Sequence, residues 1–352
     1  MKSITFFLAL TLFSFISCGE QQSSTSKQAL PLTELAQTKV EYPVILPKSI
    51  SIKDTLTQVK TIKKPNTPNS NTRETTENQT STAANYSPYH WLDTYNVNTS
   101  LQDQISTPSE YKRVSLEKTT LGTWLRGLSL LPKNAKVMLY NGQQKSYQQG
   151  AYRVLDIDIG HRDLQQCADA IMRLVAEYHY SKKDYAAIHF NYTSGHTIRF
   201  SDWSKGKKPI IKGSTVRFST SNNSQNTSYK NFKKYLTNVY CYAGTASLSK
   251  ELRSKKVSDI SPGDVFIWGS FPGHAIMVMD VAQHQETGKK IFLLAQSYMP
   301  AQSIHILQNF NNESLSPWYS EDFGAELLTP EWTFDRNTLK TFDIDYSTSW
   351  DF

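Results

Sequence analysis

The sequence is short of most features that would place it quickly. No run of five like charges occurs among its 38 Lys+Arg and 31 Asp+Glu, a formal charge of +7, which argues against a nucleic-acid arm. No apolar run reaches the length of a spanning helix, and no internal repeat is found. The HExxH and Cys-pair spacings of zinc sites are missing, and His189 and His196 stand seven apart without clustered carboxylates, so neither a metal nor a cofactor is expected. His161-Arg162-Asp163 imitates a kinase catalytic loop, but no Gly-rich phosphate loop accompanies it. From Pro65 to Thr82 there is no aliphatic or aromatic residue at all, so no core can form there.

Against that background the N-terminus is informative. Met1 and Lys2 precede an apolar run from Ile4 to Ile16, which ends at Ser17-Cys18, the order of a secretory signal peptide. Phe15-Ile16-Ser17-Cys18 looks like a bacterial lipobox, in which the Cys becomes the lipid-carrying first residue of the mature protein. The expectation is a signal peptide over 1–17, lipid attachment at Cys18 and a disordered linker over 18–89. A coil of that length spans roughly 45 Å by square-root scaling. Such a chain would be anchored to a membrane in the cell envelope, and losing Lys2 with the peptide would leave 37 minus 31 charges, or +6.

Residues 90–352 suit a single domain. Helical patterns run over 163–180, 229–242 and 247–252, and strand patterns over 137–140, 151–159, 264–268, 274–282, 290–298 and 304–307. Helices first and an antiparallel sheet later make an α+β fold. The helix over 163–180 has Asp163 as expected N-cap and Gln166 as its capping-box partner, with Leu164, Cys167, Ile171, Leu174 and Tyr178 along one face.

Two cysteines remain after Cys18. Cys167 falls at the start of its helix, where the macrodipole and open backbone N–H groups favour a thiolate. Three readings stand: a nucleophile, a small core residue beside Ile171 and Leu174, or half of a disulfide with Cys241. A nucleophile needs a base. Of eight histidines, His274 follows Pro272-Gly273 at the mouth of an apolar strand, and a Cys-helix followed by a His-strand can bring thiol and imidazole together. The base needs an orienter. Asp280 shares the strand at about 20 Å, too far to touch the ring. A hairpin centred near residue 286 puts 296–298 opposite His274, with Gln296 as the accepting side chain and Ser297 and Tyr298 in reserve. Lys205–Lys208, Lys230, Lys233 and Lys234 read as solvated faces that could meet anionic wall polymer or headgroups.

Asp163-Leu-Gln-Gln-Cys-Ala-Asp-Ala-Ile171, Pro262-Gly-Asp-Val-Phe-Ile267 and Gly273-His-Ala-Ile-Met-Val-Met-Asp280 resemble the Cys-helix and His-strand signature of papain-like cysteine peptidases of the NlpC and CHAP kind. That resemblance implies a papain-like helix packed on an antiparallel sheet, with Cys167 as nucleophile, His274 as base and Gln296 as third residue. His161 stands six before Cys167, where such enzymes often hold an oxyanion-hole Gln. A closer likeness is carried by Leu121-Gly-Thr-Trp-Leu-Arg-Gly-Leu128, Tyr140-Asn-Gly142, Tyr242-Ala-Gly-Thr-Ala-Ser-Leu-Ser-Lys-Glu-Leu252 and Ala295-Gln-Ser-Tyr-Met-Pro-Ala-Gln302. These resemble an uncharacterised bacterial family, domain of unknown function 4846. The function expected is an envelope-tethered cysteine hydrolase or transferase acting on amide bonds, with peptidoglycan stem peptides as substrate. The rival is a non-catalytic envelope lipoprotein serving as a binding or scaffold module.

Overall fold

A computed structural model describes residues 87–221 and 224–343. The signal peptide, Cys18 and nearly all of the linker lie outside the described residues. The helices are α1 (Leu101–Gln104), α2 (Leu121–Arg126), α3 (Cys167–Ser181), α4 (Phe200–Ser204), α5 (Tyr229–Tyr242) and α6 (Thr245–Glu251). The strands of the first half are β1 (Tyr111–Arg113), β2 (Ala151–Val154), β3 (His189–Asn191), β4 (Thr197–Arg199), β5 (Lys207–Lys212) and β6 (Thr215–Thr220). After α6 come β7 (Arg253–Ser254), β8 (Val265–Trp268), β9 (His274–His284), β10 (Lys290–Gln296) and β11 (His305–Leu307). The last four are β12 (Tyr319–Ser320), β13 (Glu326–Leu328), β14 (Thr333–Asp335) and β15 (Leu339–Thr341). The α+β expectation holds.

One nine-stranded sheet dominates, in the order β2-β11-β10-β9-β8-β15-β7, with β1 also on β9 and β12 on β10. Its pairings are antiparallel. β9 is its spine because the run Ala-Ile-Met-Val-Met can be buried on both faces. Ala275, Met277 and Met279 belong to the larger core beneath the helices, while Ile276 and Val278 belong to a second core with Phe266, Phe292, Leu294 and Phe334. A bulge opposite Leu293/Leu294 resets this alternation, so that Val281 joins the second core and Ala282 the first. Asp280 is thereby turned away from the second core, toward α2.

The central helix α3 is buried nearly all round, from Ala168 to Tyr180, as a helix enclosed by other layers should be. It begins four residues later than the sequence predicts. Gln166 is the N-cap, and Asp169 completes the capping box by accepting from the Gln166 N–H at 3.2 Å. Asp163 is drawn away from capping because its Oδ1 accepts from Ala301 N at 2.7 Å and from Gln166 Nε2 at 2.9 Å. Cys167 therefore stands at the first helical position. α5 has the predicted bounds, and α6 begins two residues early, after Gly244. The expected strand at 137–140 is reduced to isolated bridges, Met138 with Gln144 and Leu139 with Gln302. Tyr89, read from the sequence as the end of the linker, is buried and donates to the Trp124 carbonyl at 2.9 Å, so folded structure starts before residue 90.

Candidate active site

Two local structures build the site. At the end of β8 the chain turns through Gly269–Gly273 and re-enters the sheet at His274. Little room exists for a side chain at Gly273, where a Cβ would fall 2.4 Å from the Ser270 carbonyl and 2.5 Å from Thr245 Oγ1. From β10 the chain passes Gln296 into the turn 297–302, which is tied to the segment before Cys167. Ser297 Oγ lies 2.9 Å from both the Gln165 and Gln302 carbonyls, and Ala301 N donates to Asp163. The start of α3 and the end of β10 are thus held together by backbone-anchored contacts.

His274 is 1% exposed. Its Nε2 lies 2.8 Å from Gln296 Oε1, an oxygen that can only accept, so Nε2 carries the proton and Nδ1 of the neutral ring is left as a base. Three aromatic rings enclose the imidazole: Tyr298 at 4.7 Å, Trp332 at 5.4 Å and Phe334 at 5.8 Å. Burial in that cage pulls the imidazole down to about 4, against the Gln296 bond that raises it and with the Lys145 charge that lowers it further. The Gln296 amide lies 2.6 Å through Nε2 from Glu331 Oε2, and Lys145 Nζ sits 2.6 Å from each Glu331 oxygen.

Cys167 is partly exposed. Its sulfur interacts with the backbone N–H groups of Ala168, of Ala275 and of Cys167 itself, each of which favours a thiolate. The Ala275 contact places the sulfur one residue along from His274. Tyr298 closes the group, since its ring lies against His274 and its phenol is pushed up by burial, then by Glu331 and Cys167. Helix-start placement predicts a lowered thiol pKa, yet the thiol is pushed up to about 11, by burial first and then by the Asp169 carboxyl. Desolvation outweighs the helix terminus and the three N–H groups. Burial thus works against the charged form at both groups, the thiolate at Cys167 and the imidazolium at His274.

Cys167 and Cys241 are both reduced thiols, so the bridge between them is not formed. Asp280 is remote from the imidazole, as its strand position requires, and binds Arg113 and Arg126 instead. His161 is exposed. An Asp-Phe-Gly triplet does follow His161-Arg162-Asp163 in the chain, at 322–324, but it is a surface turn in which Asp322 pairs with Lys289. Lys233 is a correction to the solvated-face reading: it is half-buried and bridges to Asp158 at 3.1 Å. Among the described residues no group of three or more His, Cys, Asp or Glu could hold a metal, and no helix is long and apolar enough to cross a membrane. Sequence reasoning missed Glu331, Lys145, Trp332, Phe334 and His305 around the site. Lys145 and His305 come from a loop and a short strand far from the 331–334 segment that carries the other three, and no spacing signal joins these pieces.

No curated protein and no solved structure matches this chain. A family does match, over residues 101–341. That span is more than half of the chain and contains Cys167, His274, Gln296 and Glu331, and on it the protein belongs to the family described as domain of unknown function (4846).

Proposed function

We propose that the protein is a thiol hydrolase or transferase acting on amide bonds in the cell envelope, with a papain-like arrangement of Cys167, His274 and Gln296. The observation that carries this reading is the 2.8 Å bond from His274 Nε2 to Gln296 Oε1, which reserves Nδ1 as a base one residue from the backbone N–H that meets the Cys167 sulfur. In this mechanism Nδ1 takes the thiol proton as the sulfur attacks the carbonyl carbon. The Cys167 backbone N–H, without an intrahelical acceptor at the first helical position, forms half of the oxyanion hole. The imidazolium then protonates the leaving amine, and a thioester remains on Cys167. Water, deprotonated by Nδ1, releases the acid and restores the thiol. An amine in place of water makes the same step a transfer.

The lipobox at Phe15–Cys18 and the polar linker support tethering to a bacterial membrane through Cys18, and that location makes peptidoglycan stem peptides the favoured substrate. Exposed Trp268 at the end of β8, Phe271 in the turn that follows it and Met299 after Tyr298 give the same end of the sheet apolar side chains for binding.

The raised thiol and lowered imidazole favour a second reading, a binding or scaffold module that keeps the frame without the chemistry. Incubation of the protein and its Cys167→Ala and His274→Ala variants with a panel of stem peptides, followed by mass spectrometry, separates the two. Amide cleavage or an acyl adduct on Cys167 that both variants abolish supports the enzyme. Intact peptides, together with Cys167 alkylation by iodoacetamide no faster than that of Cys241 and unchanged in His274→Ala, would sink it.

A further inference from the structure

The two ends of the Gln296 amide face different chemistry. Nε2 points at two acceptors, Glu331 Oε2 at 2.6 Å and His305 Nε2 at 3.5 Å. His305 is an acceptor there because its Nδ1 lies 2.9 Å from the Ser303 carbonyl and must hold the proton. Turning the amide by half a revolution would set its oxygen against a carboxylate and its NH2 against His274. In that arrangement His274 would offer a lone pair at Nε2 and carry its proton on Nδ1, the nitrogen that the proposed chemistry needs as base. Lys145 holds both Glu331 oxygens at 2.6 Å and lies over the Tyr298 ring at 5.5 Å, so the carboxylate is paired and fixed in place. Both members of this pair are largely sequestered, their side chains 10% and 16% exposed.

We propose that Glu331 is a positioning residue: its carboxylate, held by Lys145 and seconded by His305, fixes the Gln296 amide and through it the Nε2–H tautomer of His274. The role rests on Cys167 and His274 acting as nucleophile and base, yet the tautomer can be read without any turnover. Two double variants of the full chain isolate the acceptor, because both replace the ion pair by neutral groups of similar volume. Lys145→Met with Glu331→Gln keeps an oxygen acceptor at position 331, and Lys145→Met with Glu331→Leu removes it.

Long-range proton–nitrogen correlation spectra of 15N-histidine-labelled protein report which His274 nitrogen is protonated, and the pH profile of Cys167 alkylation by iodoacetamide reports the base. Wild type and the double variant carrying Glu331→Gln are expected to show Nε2–H, with alkylation at pH 7 agreeing within about threefold. The double variant carrying Glu331→Leu is expected to populate Nδ1–H and to alkylate roughly tenfold more slowly, the factor that the net worth of one hydrogen bond corresponds to. Wild-type Nε2–H retained with Glu331→Leu in place, or Nδ1–H in wild type, would overturn the proposal. Should the tautomer follow position 331 as expected while stem peptides stay intact and Cys167 alkylates no faster than Cys241 in every form, Glu331 keeps its positioning role and the hydrolase reading fails. If the variant with Glu331→Leu does not fold, Glu331→Ala takes its place with the same expectations.

Discussion

Arg126 and Asp280 form a buried ion pair at 2.6 Å, from α2 into the middle of the central sheet. Arg113 on β1 takes the other carboxylate oxygen at 2.5 Å, and both guanidinium groups also reach backbone carbonyls, Arg113 that of Ile105 and Arg126 that of Val114. One carboxylate thus pins an edge strand and a helix to β9. Its side chain is wholly buried, so neutralising it leaves two cations with little solvent to replace it. Asp280→Asn is expected to destabilise the domain by about 3 kcal/mol, read as a lower midpoint in urea with an unchanged slope. Arg113→Met should cost less, because Arg113 is the more exposed partner.

The buried histidines set a pH dependence of stability. His305 is wholly enclosed, and burial pulls its imidazole down to about 4 from an ordinary 6.5, in parallel with His274. Between these values the unfolded chain binds a proton that the folded one refuses, so the unfolded state gains as pH falls. The contribution to stability is intact above about pH 6.5 and is lost progressively down to about pH 4. At roughly 1.4 kcal/mol per unit, each ring removes about 3 kcal/mol across that window. In His305→Phe one titrating ring is gone. Urea unfolding at pH 7 and at pH 4 should show the wild type losing about 3 kcal/mol more than this variant; equal losses would mean that His305 is protonated in the folded state.

The antiparallel order after residue 260 was legible because it is local. β8, β9 and β10 alternate or run apolar between strong turns, and the turn at Glu286–Gly288 sets a register that brings Gln296 to His274. α5 was legible from its periodicity. The start of α3 was not, since Asp163 had two attractive uses and tertiary contact with Ala301 decided between them. Nor could the thiol's environment be read from position alone. A helix start argues for a thiolate, but enclosure by neighbours distant in sequence reverses the sign. The Lys145–Glu331 pair joins residues 186 apart, and such pairs carry no periodic signature.

Asp169 supplies the last test, because it acts on Cys167 from two residues along the same helix turn. Its carboxyl is buried, Oδ2 accepts from the Gln166 N–H, and Oδ1 has no hydrogen-bond partner. Burial raises its own pKa well above the ordinary carboxyl range, and its charge, once formed, in turn raises the thiol. Asp169→Asn keeps an oxygen for the capping box while removing the charge, so the helix should start where it does now. The thiolate then has one opponent fewer, and the three N–H groups around the sulfur count for more. Cys167 alkylation by iodoacetamide at pH 8 is expected to rise by several-fold, up to about tenfold for each unit the thiol pKa falls, with little change at Cys241. A rate that stays at the wild-type value across pH 6 to 9 would mean that Asp169 is protonated throughout that range and that burial alone keeps the thiol neutral.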